Sequence, residues 1–227
     1  MTAMGYPAVV RSSPWGALAV GIDVAEEKKG LDLVALDNHR SVVASAGRLS
    51  VTDTARIVLE ELRPAIVCID SPSSWSISGR SREAERELRG LGISAFATGP
   101  DPGPHPFYRW MRVGMAVYRS LAGTYQTFRG APAAGTAAEV FPEASAALLA
   151  GRFRNRDETK LAFRRHVLGQ QEVDPARLAT LDRVDAALAA LTGVFALEGI
   201  FSTVGDPEEG VILLPVARLQ PLGRMRQ

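Results

Sequence analysis

"AIVCID", residues 65–70, is an unbroken apolar run that stops on an aspartate. A strand with one face in water alternates apolar and polar residues. An uninterrupted run fits a strand buried on both faces, the place of a parallel strand inside an α/β sheet. Just before it, "VTDTARIVLEELRP" (51–64) reads as a helix, with Thr52 as N-cap, Asp53 favouring the first turn, an apolar stripe of Ile57, Val58 and Leu62, and Pro64 beyond its end. Earlier still come three β-like runs, "ALAVGIDVA" (17–25), "LDLVALDN" (31–38) and "SVVASAGRLS" (41–50), the last two joined by the turn "DNHR". Three meander strands, a crossover helix and a buried strand predict one α/β domain around a mixed sheet.

Downstream, "RSREAERELRGLG" (80–92) reads as a charged helix, "ISAFATG" (93–99) as a short strand and "PDPGPHP" (100–106) as a Pro-rich loop. Residues 107–121 form an aromatic-rich helix, "AAEVFPEAS" (137–145) a strand running into a helix, 157–169 and 176–198 two further helices, and the tail a turn and a strand. No repeat or linker divides the chain. The expected organisation is an extension over 1–16, a single domain over 17–217 and a tail over 218–227.

The chain has 227 residues, 46% of them apolar, and a net charge of +1, so no whole-molecule field selects nucleic acid or a membrane. The single cysteine, Cys68, reads as a buried strand residue and makes no intrachain disulfide. The opening stretch lacks the basic start and long apolar centre of a signal peptide, and the run 186–197 is too short to span a bilayer. A cytoplasmic protein without a membrane segment is expected.

Asp23 and Asp70 each end an apolar strand run. Singly, such an aspartate starts a turn or caps a helix. As a pair on adjacent parallel strands, both project from the carboxyl edge of the sheet, where open α/β sheets bind ligands. A third acidic element lies in "TLDRVDAALAALTG" (180–193), a helix of Ala and Leu that carries Asp182 and Asp185. At about 100° per residue from Leu178, the residues Leu181, Val184, Leu188, Leu191 and Phe195 fall between about 220° and 300°. Asp185 lies near 340°, at the margin of that face, and Asp182 near 40°, at its rim. A carboxylate at a packed boundary needs a cation, either an arginine or a metal. Glu139, in an otherwise apolar strand, is a further candidate, whereas Glu143 suits a helix start. Oxygen donors of this kind suit Mg²⁺ or Mn²⁺. His39, His105 and His166 are scattered, and no zinc cluster, phosphate-binding Gly-Lys loop or nucleophile elbow occurs.

"GIDVA", "CIDSPSSW", "RSREAERELRGLGI", "EVFPEAS", "DRVDAALAALTG" and "GDPEEGVILLP", in that order over roughly residues 17–217, resemble a family of predicted ribonuclease H-like nucleases, domain of unknown function family 429. The fifth motif is also similar to the last helix of Holliday-junction resolvases of that superfamily, where two aspartates three apart lead into a small-residue helix. The resemblance implies a five-stranded mixed sheet, a three-strand antiparallel meander plus parallel strands, with helices on both faces. It implies two-metal hydrolysis of phosphodiester bonds in DNA or RNA with Mg²⁺ or Mn²⁺. Asp23 would bridge the metals, Asp70 and Asp185 would each hold one, and Asp182 or Glu139 would complete a shell or position water. The superfamily also holds inactive binding scaffolds and actin-like phosphotransfer enzymes; the chain is short for the latter and shows one meander only.

A nuclease needs phosphate contacts. Arg80, Arg82, Arg86 and Arg89 share one helix with interleaved glutamates, the pattern of a solvated face. The segment holding Arg152, Arg154, Arg156, Lys160, Arg164 and Arg165 has few acids and is the stronger phosphate-facing candidate. Trp75, Tyr108 and Trp110 either stack bases or pack as core or lid.

Overall fold

A computed structural model of the chain describes residues 16–77, 79–130 and 135–222. The expected order opens the fold. Strands β1 (Ala19–Asp23), β2 (Leu31–Leu36) and β3 (Val42–Leu49) form an antiparallel meander, and helix α1 (Val51–Arg56) runs on as a wider π-helical stretch over Ile57–Leu62. Strand β4 (Ile66–Asp70) then lies parallel to β1, buried over its first four residues. Helices α2 (Glu83–Gly90) and α3 (Arg109–Leu121), the two-residue β5 (Gln126–Thr127), β6 (Thr136–Val140), α4 (Pro142–Ala150), α5 (Lys160–Gln170), α6 (Leu181–Leu197), β7 (Ser202–Asp206) and β8 (Gly210–Leu214) follow.

The mixed sheet has eight strands in the order β3-β2-β1-β4-β6-β8-β7, with β5 also pairing β6, rather than the five expected. Two features enlarge it. The tail folds back on itself as the antiparallel β7–β8 hairpin, and β8 adds to β6 through Glu139 and Val140 while β5 adds through Thr136 and Ala137.

Alternation along the strands separates two layers. Ala19, Ile66, Cys68, Ala138 and Val140 pack with α6, whereas Val20, Ile22, Val67 and Ile69 pack with Ala55, Val58 and Leu62 and with Val117 and Leu121 of α3. Helices therefore cover both faces. A third cluster joins Ala84 and Leu88 of α2 to Val204, Ile212 and Leu214.

Helix α6 is buried from Val184 to Ala196 and lies against β1, β2 and β4. Its alanines permit this, and Gly21 of β1 makes it close: a Cβ there would sit 1.9 Å from the Ala186 carbonyl oxygen and 2.4 Å from the Ala190 nitrogen. Both are backbone atoms, so the helix itself would have to move. Gly21→Ala should cost about 2–3 kcal/mol, read as a lower urea midpoint. Gly169→Ala, in α5 where a Cβ meets nothing within 4 Å, should instead stabilise by about 0.5–1 kcal/mol.

Several boundaries differ from expectation. Ser50, not Thr52, caps α1, its Oγ accepting from Asp53 N at 3.0 Å. Residues 93–99 form no strand; Ile93 is buried against α2 while Phe96 faces solvent. The helix expected over 157–169 begins after its cap Thr159, and the one expected over 176–198 divides into a 3-10 turn, Pro175–Arg177, and α6, capped by Thr180. Most of the expected extension, residues 1–15, and the end of the tail, 223–227, lie outside the described residues. Cys68 is buried, as expected, and burial pushes its thiol up. Among the described residues no helix is long and apolar enough to cross a membrane.

Candidate functional site

Strand register brings the first two carboxylates together. Asp23 and Asp70 are direct partners across the parallel β1–β4 pair, at the carboxyl ends of both strands. Pleating puts them on the face of Ala19, Gly21 and Cys68, the face that receives α6. Helix α6 presents Asp185 in its first turns, 8% exposed, and Asp182 one turn earlier at the rim.

These groups feel one another. Burial pushes Asp23 up to about 8, with the Asp185 and Asp182 charges adding to it and Lys29 opposing. Burial also carries Asp70 well above the usual carboxylate range, helped by Asp23 and Asp185 and opposed by Arg164. Asp185 is raised by burial to about 6, held back by Arg164. The edge is thus a crowded set of buried carboxyl groups that resist ionising together.

Two cations partly compensate it. Arg164 of α5, 5% exposed, donates from Nη1 to Asp185 Oδ2 and from Nη2 to Glu143 Oε2, the latter at 2.5 Å. Lys29 Nζ lies 2.7 Å from Asp182 Oδ2. Asp185 Oδ1 is buried and has no hydrogen-bond partner. Among the described residues no three His, Cys, Asp or Glu side chains close into a ready-made metal site. In donor type alone these groups suit a hard divalent cation: they are all carboxylate oxygens, and one of them is orphaned.

Asp32 of β2 belongs to the cluster and escaped the sequence reading. It stands opposite Asp23 in the antiparallel pair, 3.4 Å from Arg183 Nε, and burial and the Asp182 charge raise it. Its signal is plain in retrospect: an aspartate inside "LDLVAL", six consecutive buried positions.

Glu139 comes to the same carboxyl edge from β6, near enough for its charge to help raise Asp70, but on the other face of the sheet. It alternates with Ala138 and Val140, so it faces the opposite layer, where Arg82 grips it from Nη1 at 2.9 Å and from Nη2 at 2.5 Å. Arg82 also donates to Glu85 Oε1 from Nε at 2.9 Å and Nη2 at 2.7 Å. Ser73 N and Oγ add bonds to Glu139 at 2.9 and 3.2 Å, and Glu209 accepts from Ser76 Oγ and Ile77 N at 3.0 and 2.9 Å. Glu139 and Glu209 thereby anchor the loop that follows Asp70.

The expected phosphate-facing segment is largely engaged with the protein itself. Arg152 pairs both guanidinium ends with Glu158, at 2.8 and 2.9 Å, and covers the Phe163 ring at 4.9 Å. Arg154 donates to the carbonyl oxygens of Asn155 and Glu158, Arg165 to that of Leu178, and Arg164 serves Asp185. Arg156 and Lys160 remain exposed, with Lys160 Nζ 3.8 Å from Glu143. On α2, Arg86 pairs with Glu83 and Arg89 Nη2 donates to Ser81 Oγ at 2.9 Å, while Arg82 is fully internal.

A family model described as "Protein of unknown function (DUF429)" matches residues 21–209. No curated protein and no solved structure matches the chain.

Proposed function

The chain belongs to the DUF429 family, and we propose that it is a ribonuclease H-like, divalent-metal-dependent phosphodiesterase acting on nucleic acid. One observation carries the reading: Asp23 and Asp70 end adjacent parallel strands in register, and α6 sets Asp185, with an unpartnered buried oxygen, against the same edge. The antiparallel meander followed by parallel β4 and β6 supports the superfamily assignment. Asp23 and Asp70 would hold Mg²⁺ or Mn²⁺ from the sheet and Asp185 from the helix. Such ions, when bound, supply Lewis-acid charge for an attacking water and a leaving oxygen. The chain's own part is to fix the donors. Gly21 lets α6 approach, Arg164 restrains one oxygen of Asp185 and leaves the other open, and Lys29 restrains Asp182. Glu139 acts at a distance, through Ser73, by holding the loop after Asp70.

The test is cleavage of labelled DNA and RNA with Mg²⁺, with Mn²⁺ and with chelator. Asp70→Asn keeps shape and removes charge. It should lower metal-dependent cleavage by at least the ~10–100-fold that losing a mere supporting partner of a metal site costs. Full activity in Asp70→Asn sinks the reading. A second reading, a non-enzymatic binding protein, is favoured by Arg164, which already neutralises Asp185 as an internal counter-ion. It requires calorimetry to find no divalent-ion binding and gels to find no products.

A further inference from the structure

The loop and helix that follow Asp70 carry a surface whose chemistry the acidic edge does not use. Three hollows share walls along α3. The first, about 970 Å³, lies among Lys28, Lys29, Arg48, Arg109 and Arg112; the second, about 510 Å³, adjoins His105, Arg109 and Arg112; the third, about 540 Å³, adjoins Trp75, Arg112 and Arg119. Arg112 borders all three, so they lie side by side along α3 as a furrow interrupted by that side chain. Six basic side chains line it against three acids, Glu26, Glu27 and Asp101; Arg112 pairs with Asp101 and Lys29 with Asp182, which leaves Lys28, Arg48, Arg109 and Arg119 against Glu26 and Glu27. The furrow's two ends flank the acidic edge: Lys29 reaches Asp182 at one, and Ser73, three residues past Asp70, borders the other.

Aromatic rings stand beside this basic track. Phe96 and Phe107 are 65% and 47% exposed, unusual for side chains that size, and their centroids are 5.7 Å apart. Tyr108 packs edge-on to Phe107 at 5.0 Å and to Trp75 at 5.9 Å, and the Arg112 guanidinium lies 5.2 Å over the Trp75 ring. Exposed rings next to a basic track match unpaired bases on a phosphate backbone. Bases in a duplex stack on each other and offer no free face.

We infer that this furrow binds single-stranded polynucleotide, with phosphates on Lys28, Arg109 and Arg119 and bases on Phe96 and Phe107. It rests on the phosphodiesterase reading for its role and goes beyond it in naming the strand state and the path. Stacking and phosphate contacts do not read the sugar, so DNA and RNA single strands bind alike.

The experiment is fluorescence anisotropy in chelator, where nothing is cut, with a labelled single-stranded 12-mer as DNA or RNA and the matching duplex. Both single strands should bind, the duplex at least about tenfold more weakly. Phe107→Ala and Arg109→Glu should each weaken single-strand binding about tenfold, the scale of one lost stack. Arg63→Glu, at an exposed arginine just past the π-helical stretch, should leave it unchanged. Phe107→Leu, which keeps an apolar side chain without the ring, stands in if Phe107→Ala folds poorly, and unfolding temperatures verify every variant. Equal duplex affinity, or loss in Arg63→Glu with none in Phe107→Ala, overturns the furrow. The same protein is then given Mn²⁺. Binding through the furrow without cleavage overturns the hydrolase reading and leaves the furrow standing. Cleavage by a protein whose single-strand affinity ignores Phe107 and Arg109 does the reverse.

Discussion

Replacing Arg82 by methionine is expected to destabilise the protein by about 3–5 kcal/mol, the cost of breaking a buried ion pair from one side. Arg82 is 1% exposed and is the cation between two carboxylates, Glu85 and Glu139, that are 2% and 4% exposed. Burial works against its charge, and Glu139 and then Glu85 more than offset that. Methionine fills similar volume but leaves both carboxylates desolvated without a partner. Arg82→Lys should recover little, since one ammonium cannot reproduce the fork that reaches both acids. Urea unfolding reads the loss. Because Glu139 holds Ser73, the same variant should weaken Mn²⁺ binding, seen by calorimetry under conditions where it remains folded.

Arg82 also marks where the sequence stops being legible. In "RSREAERELRG" it shares an i, i+4, i+7 face with Arg86 and Arg89, and glutamates alternate beside it, so nothing local separates it from a solvated arginine. The difference is tertiary: Arg82 is the N-cap position of α2, and there its side chain turns inward to a glutamate 57 residues away. The elements that were legible have strong local signals. The unbroken run of β4, the meander before it and the margin position of Asp185 follow from periodicity alone. The β7–β8 hairpin and β5 were not, because their strands of five and two residues are held by pairing, β8 with β7 and with distant β6, and β5 with β6. Asp32 went unnoticed for a related reason. Its partner across the sheet, Asp23, is set by register, which single-strand patterns do not report.

The metal-free protein should lose stability as pH rises from about 5 to about 8, the reverse of ordinary acid denaturation. Asp23 is raised from its usual range to about 8 and Asp185 to about 6, and Asp70 is raised further. Below about pH 4 these groups are protonated in both folded and unfolded chains. Between there and their folded values the unfolded chain gives up protons that the folded chain retains, so stability falls, and it levels off once the folded carboxyls also ionise. Glu158, pulled down to about 2 by Arg152, acts oppositely but only below its unfolded value of 4.5, outside this window. Asp23→Asn removes the charge at the centre of the cluster. At pH 8, with chelator present, it should be more stable than wild type by about 2–4 kcal/mol, roughly half of what the full shift converts to for a group that keeps some solvent contact. Its urea midpoint should also vary less with pH. Added Mn²⁺ should stabilise the wild type at pH 8 and leave Asp23→Asn unmoved, since only the former gains by binding. A wild-type midpoint flat from pH 5 to 8 refutes the crowded-carboxylate account of the edge. A rise in Asp23→Asn stability without a Mn²⁺ response in wild type keeps the crowding and removes the metal. Both outcomes come from stability measurements alone, so the acidic edge can be judged before any substrate is known.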